Sequence, residues 1–198
     1  MKAQVRIYYP HSSAWIGHYD LYIDGTYYIG SKKMDKKVLS YAPLRNSSRN
    51  IVKEGSKTLG CLYIFDKADT AGVLYGCRVE GNCTIYTYTF DITQTQADAL
   101  GSFMSNYLGA AYGSTGLQYL VTGPFKYYTR EAWNCFHATA VWCNKIGYGK
   151  LLEIYDKYTT SYESYLPTAL FPIYKNYWAA YKKYVYNANT ERFTETNP

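Results

Sequence analysis

Gly17-His18-Tyr19-Asp20-Leu21-Tyr22-Ile23-Asp24-Gly25-Thr26-Tyr27-Tyr28-Ile29-Gly30-Ser31 is the stretch on which the fold turns. Residues 18–23 and 26–31 are aromatic and β-branched runs, and Asp-Gly between two such runs predicts a two-residue hairpin. Outward from it, Gln4–Tyr9 reads as a strand ending at Pro10, and further strands are expected at 61–66, 72–79 and 83–90. Runs this short and this close predict antiparallel, meandering pairing. Between them, 32–58 reads as a long basic loop or insertion. It holds Lys32, Lys33, Lys36, Lys37, Arg45, Arg49, Lys53 and Lys57 against only Asp35 and Glu54.

At Thr93 the period changes. Thr93-Gln94-Thr95-Gln96 offers a capping box, and apolar residues at 97, 100, 103, 104, 107, 108 and 111 predict a helix of about four turns. A second helix is expected at 134–146, stopped by Gly147, and a third near 173–186. The polar residues 187–198 read as frayed. Strands first and helices later, with no repeat or linker, predict one α+β domain over 1–198, an antiparallel sheet packed against helices.

Composition narrows the class. The chain has 198 residues with 26 Tyr, 19% aromatic and 18% charged residues, which excludes global disorder. Tyr-rich strands such as 84–90 read as amphipathic sheet surface; stacking on sugars or nucleic acid is the minority reading. No apolar run approaches the ~18 residues of a membrane span. The opening residues lead straight into a strand with no visible Sec-type signal, so synthesis in the cytoplasm is expected, with export by a dedicated secretion system as an option. The net charge of +6 suits an anionic partner, with Lys32, Lys33, Lys36 and Lys37 as the candidate docking surface. Five Cys leave at least one unpaired; Cys77 and Cys83 are spaced for a hairpin disulfide or for two thiols on neighbouring strands, the preferred reading without an export signal. No Cys/His spacing has a zinc rhythm, and no metal or other cofactor is expected.

Two segments carry chemistry: Gly17-His18 at the start of a strand, and Trp133-Asn134-Cys135-Phe136-His137 at the start of a helix. Asn134 is a good N-cap. A Cys in the first helical turn has its thiolate favoured by unpaired N–H groups and the helix dipole, and a nearby His would complete the pair used by cysteine hydrolases. Each residue also has a plainer reading. Cys135 and Cys143 suit a core, His18 suits a satisfied strand position, and His11 suits a loop. His137, about 200° around the helix from Cys135, suits a structural or supporting role.

In order, spacing and context, Gly17-His18 and Asn134-Cys135-Phe136-His137 resemble the motifs of circularly permuted NlpC-type papain-like cysteine hydrolases, in the branch that includes the lecithin–retinol acyltransferase-like proteins. In that branch the His strand precedes the Cys helix. The resemblance spans about residues 4–172 and implies a permuted papain-like fold. It implies amidase or peptidase activity, most often on peptide bonds of bacterial cell wall. The implied catalytic residues are Cys135 as nucleophile and His18 as base, with Asn134 and the Cys135 N–H at the oxyanion and His137 nearby. The family places a polar orienter on the next strand. A two-residue turn at Asp24-Gly25 sets Ser31 opposite His18, and Asp20, on the face of His18, competes for the role. Ser departs from the family's His, Glu, Asn or Gln at that place, which leaves a dyad or an inactive member open. The alternatives are a lipid acyltransferase or thioesterase of the same fold, or a non-catalytic basic and aromatic module for glycan or nucleic acid. A secreted effector of this kind would have an inhibitor or immunity protein as partner.

Overall fold

The computed structural model describes residues 1–10, 17–66, 83–129, 133–158, 181–187 and 192–196. Over these residues it is an α+β arrangement in which three helices pack with a mostly antiparallel sheet. The first strand, β1 (Lys2–Pro10), alternates Ala3, Val5 and Ile7 on one face with Gln4, Arg6 and Tyr8 on the other, and all six are buried. It pairs with β2 (His18–Asp24) from Lys2–Asp24 to Tyr8–His18, and on its other side with β9 (Cys83–Asp91). Gly17, at φ 87°, turns the chain into β2, a backbone conformation that favours glycine.

The expected β2 hairpin does not form. Asp24-Gly25 is a corner, and β3 (Thr26–Ile29) pairs instead with β4 (Lys32–Asp35) in a separate two-stranded sheet. Packing overrides the local turn signal. Tyr27, Ile29 and Met34 on the hairpin's inner face are fully buried, and β3 lies against the helix α1 (Gln94–Ser105). The approach is so close that a Cβ on Gly101 would stand 1.9 Å from the Tyr28 carbonyl oxygen. The strand beside β2 is β5 (Lys37–Pro43), followed by β8 (Gly60–Asp66). Much of the stretch expected as a basic loop is thus sheet. Val38-Leu39-Ser40-Tyr41 is buried at its centre, and only residues 44–59 form an excursion, carrying the small hairpin of β6 (Lys53–Glu54) and β7 (Lys57–Thr58).

Helix α1 begins at the expected capping box, with Thr93 N–H to Gln96 Oε1 at 2.8 Å and Gln96 N–H to Thr93 Oγ1 at 3.2 Å. It is shorter than its periodicity predicts. Beyond Asn106 the chain becomes β10 (Leu108–Tyr112), paired with β11 (Gln118–Val121), where sheet bonds satisfy the backbone in place of helical ones. Helix α2 (Cys135–Lys145) ends at Gly147, φ 86°, as expected, and α3 (Lys150–Tyr158) follows unforeseen. Residues 182–186, expected to be helical, lie in β12 (Lys182–Asn187), which joins β9. The expected frayed end contains β13 (Arg192–Thr196), paired with β12. Aromatic and β-branched residues fit a pleated surface, and here the sheet edge claims them over a 3.6-residue pattern. The expected strand 72–79 and the remainder of the third helix, 173–180, lie outside the described residues, as do Cys77, His11 and the Cys83 side chain.

Among the described residues the main sheet runs β10-β11-β8-β5-β2-β1-β9-β12-β13. One face carries Ala3, Val5, Ile7, Tyr19, Leu21, Leu39, Tyr41, Leu62 and Ile64 against the helices, with Trp142, Phe136 and Phe125 fully buried among them. Deleting such a ring costs about 3–5 kcal/mol. The opposite face carries Arg6, Tyr8, His18, Asp20, Tyr22, Val38, Ser40 and Phe65. No helix among the described residues is long and apolar enough to cross a membrane.

Candidate active site

Strand pairing at the middle of the sheet sets the site. β2 pairs with β5 only at Asp20–Ser40, Leu21–Leu39 and Tyr22–Val38. β2 nevertheless stays on β1 as far as His18, and β5 stays on β8 as far as Pro43. The two strands therefore part beyond Asp20 and Ser40, leaving His18-Tyr19 on one side and Tyr41-Ala42 on the other. Helix α2 packs on both strands and directs its first residue at this opening.

Cys135 starts α2, and Asn134 caps it, its Oδ1 accepting the His137 N–H at 2.9 Å. A cap of this type is worth about 1 kcal/mol. The half-buried thiol faces the Tyr19 main-chain N–H, the Tyr128 hydroxyl, and the N–H groups of Phe136 and Cys135 itself. Burial pushes the thiol up to about 11, and these four donors pull it back toward the thiolate. The Tyr128 hydroxyl also faces the Cys135 N–H, and its ring lies 5.5 Å from that of Tyr41.

His18 precedes Tyr19 by one peptide bond. Its ring lies on the sheet face away from α2, 5.9 Å from the Tyr8 ring, and its Nε2 is 2.6 Å from Ser40 Oγ on β5. Burial lowers the imidazole to about 4; Asp20 opposes this and Arg6 adds to it. Thiol and imidazole thus both rest neutral and lie on opposite faces of the sheet, and no contact joins the two side chains: His18 is held by Ser40 and feels Asp20 and Arg6, while Cys135 faces Tyr19 and Tyr128. The Tyr19 N–H at the sulfur is the link between them.

Two expected residues have other work. Ser31 is exposed in the β3–β4 turn and is not opposite His18, because β3 does not pair with β2. The polar side chain that holds His18 is Ser40, on the strand that does. Asp20 is fully buried and grips Arg6 with both oxygens, at 2.6 Å to Nε and 2.8 Å to Nη2. Burial works against the Arg6 charge and Asp20 outweighs it, holding the guanidinium protonated beyond its ordinary range. Asp20 acts on His18 through its field while its hydrogen bonds go to Arg6. His137 is stacked between Trp133, at 4.3 Å, and Tyr155, at 4.2 Å and 8°. That is a packing role beside the thiol, in line with its position on the helix.

Sequence reasoning missed Ser40, Tyr128 and Arg6. Arg6 carried a signal, a charged residue inside the alternating strand Val5-Arg6-Ile7, which calls for a buried counter-ion on the neighbouring strand. Ser40 stands in the alternation Val38-Leu39-Ser40-Tyr41, obscured by the lysines around it. Of the proposed docking lysines, Lys33 and Lys36 are exposed, Lys32 lies 4.6 Å over the Tyr119 ring, and Lys37 pairs with Asp66 at 2.5 Å. No group of three His, Cys, Asp or Glu among the described residues is placed to hold a metal ion. No protein-family model, no curated protein and no solved structure matches the chain.

Proposed function

We propose that the protein is a cysteine hydrolase of the amidase or peptidase type on a permuted papain-like frame, acting on peptide bonds of a cell-wall-like substrate. The observation that carries this reading is the Cys135 thiol at a helix N-terminus, set against the Tyr19 N–H immediately after His18, whose Nε2 is held by Ser40.

In this mechanism Nε2–H donates to Ser40 Oγ and Nδ1 carries the lone pair; thiol and imidazole do not touch, so the Cys135 proton crosses the gap between β2 and β5 through a bridging water to Nδ1 as sulfur attacks the substrate carbonyl carbon. The C–S bond forms and charge collects on the carbonyl oxygen. The Cys135 and Phe136 N–H groups and the Tyr128 hydroxyl supply donors for it. The C–N bond then breaks as imidazolium returns its proton to the leaving amine. Water attacks the thioester, giving a proton to His18. The C–S bond breaks, and the thiolate recovers its proton as the acid product leaves. Because thiol and imidazole rest neutral, proton transfer accompanies attack and no ion pair stands ready beforehand.

The test is acyl-enzyme trapping on an activated ester and on cell-wall peptide fragments, with adducts located by mass spectrometry. An adduct on Cys135, lost in Cys135→Ala and in His18→Ala, is the expected result. A fully active Cys135→Ala variant defeats the assignment.

A further inference from the structure

The Tyr128 hydroxyl reaches Cys135 from a short strap, residues 122–128, and that strap is fastened from beneath by one side chain. Tyr41, fully buried on β5, points its hydroxyl into the strap and donates toward two successive bends of it, to the Phe125 carbonyl at 2.9 Å and to the Tyr127 carbonyl at 3.2 Å. Its ring then lies against the Tyr128 ring at 5.5 Å and the Phe125 ring at 5.8 Å. The geometry leaves no slack. At Gly60, which pairs with Pro43 two residues along β5, a Cβ would meet the Tyr41 hydroxyl at 2.3 Å and the Phe125 carbonyl oxygen at 2.4 Å. Gly60 N–H donates to the Lys126 carbonyl and Tyr128 N–H to the Thr58 carbonyl, each at 2.9 Å. The strap's outer side is held by exposed contacts, with Lys126 paired to Glu54 at 2.9 Å and the Tyr127 hydroxyl donating to Glu54.

We propose that Tyr41 is a positioning residue for the Cys135 thiol. Through its two hydrogen bonds to the strap and its contact with the Tyr128 ring, it sets the Tyr128 hydroxyl where that group donates to the sulfur, and Gly60 is required because any side chain there would displace the Tyr41 hydroxyl. The inference rests on Cys135 being the reactive thiol of the proposed hydrolase, but it concerns the thiol's acidity, which is measurable without a substrate. Tyr41 lies within the field of the Cys135 thiol, but its hydroxyl is bonded to the strap, and it acts on the sulfur through Tyr128. The outer clasp at Glu54 is solvent-exposed and contributes little to the same placement.

The experiment is site-resolved alkylation of the full chain with iodoacetamide across pH 6 to 11, read by peptide mass spectrometry so that the other cysteines do not interfere. Tyr128→Phe removes a donor to a charged sulfur and is expected to slow Cys135 alkylation about tenfold at neutral pH, with the alkaline rise in rate displaced to higher pH. Tyr41→Phe is expected to give a loss of about three- to tenfold in the same direction although the lost hydroxyl is bonded to the strap and not to Cys135, and Glu54→Gln to leave the profile within about twofold. Gly60→Ala, whose Cβ presses on both ends of the Tyr41–Phe125 hydrogen bond, is expected to shift the profile in the same direction and tests the strap's placement if Tyr41→Phe fails to fold. A folded Tyr41→Phe or Gly60→Ala protein with the wild-type profile overturns the inference, and so does a wild-type profile for Tyr128→Phe. If the profiles shift as expected and no acyl adduct forms on Cys135, the positioning holds and the hydrolase reading falls.

Discussion

Ser40→Ala separates a catalytic imidazole from a merely buried one. The substitution removes a hydroxyl that is 3% exposed and 2.6 Å from His18 Nε2, and it leaves the neighbouring Val38, Tyr41 and Tyr63 in place. The stability effect follows from two terms. The net worth of a neutral hydrogen bond is about 0.5–1.5 kcal/mol, and leaving a buried ring nitrogen unsatisfied brings the loss to about 1–2 kcal/mol. The effect on chemistry has a separate origin. The hydrogen bond at one imidazole nitrogen fixes which nitrogen carries the proton, so without Ser40 the ring is free to protonate Nδ1, the nitrogen needed as base. Losing about 1.4 kcal/mol of tautomer preference takes the ratio of the two forms from about 10:1 to about 1:1, which lowers the poised fraction, and with it the acylation rate, about twofold. Single-turnover acylation with an activated ester measures this, and nitrogen NMR of the His18 ring reads the tautomer. Ser40→Thr keeps a hydroxyl and should restore both. A folded Ser40→Ala protein that acylates at the wild-type rate, or a wild-type ring whose Nε2 bears no proton, refutes the assignment of roles.

Two further outcomes test the buried polar face. His18 titrates near 4 in the folded protein and near 6.5 when unfolded, so the unfolded chain binds the proton first as pH falls. The stabilisation is complete above about 6.5 and declines toward 4; between pH 7 and 4.5 the loss is about 2.5 kcal/mol, seen as a drop in urea midpoint that His18→Gln should remove. Equal pH slopes in the two proteins would exclude the effect. Arg6→Met strands the buried Asp20 carboxylate and should cost about 3–5 kcal/mol, most of it recovered in Arg6→Met/Asp20→Leu, where both charges go. A single-mutant loss below about 1 kcal/mol would mean the pair is hydrated, and a double mutant no better than the single would mean its packing cannot be replaced.

Strand positions were legible where the period-2 pattern was clean. Lys2–Pro10, His18–Asp24, Gly60–Asp66 and Cys83–Asp91 all lie close to their expected bounds. Pairing was not legible, because Asp24-Gly25 gives only local information. Whether the chain reverses onto β2 or turns away depends on what buries Tyr27, Ile29 and Met34, and the answer is a helix some 70 residues later. The Lys36 N–H bond to the Gly25 carbonyl at 3.0 Å closes that excursion and returns the chain as β5. The lysines around β5 misled in the same way. Their charges describe the ends and edges of strands, while Val38, Leu39 and Tyr41 between them are fully buried. Helix α1 ends nearly two turns before its apolar spacing does, because Tyr107, Leu108 and Ala111 continue a 3.6-residue pattern that a strand satisfies equally well over so short a run.

The same non-local pairing decides the candidate site. Had β3 lain beside β2, the sheet would have had no reason to open at His18, and a helix start could only have rested on top of it. Because β5 is bound along its whole length to β8, and β2 is bound to β1, the two strands follow different neighbours and separate once Asp20–Ser40 is passed. That separation turns the Tyr19 N–H toward a side chain and gives the Cys135 sulfur a place in the sheet. It also leaves Ser40 as the last residue of β5 still beside β2, the one position from which a side chain can bridge back to a His at the strand's start. The placing of the two candidate residues and the Ser40 contact to His18 are in this sense products of one register. A shift of β5 by one residue would exchange Ser40 for Leu39 or Tyr41 beneath His18, and the imidazole would lose the partner that selects its proton.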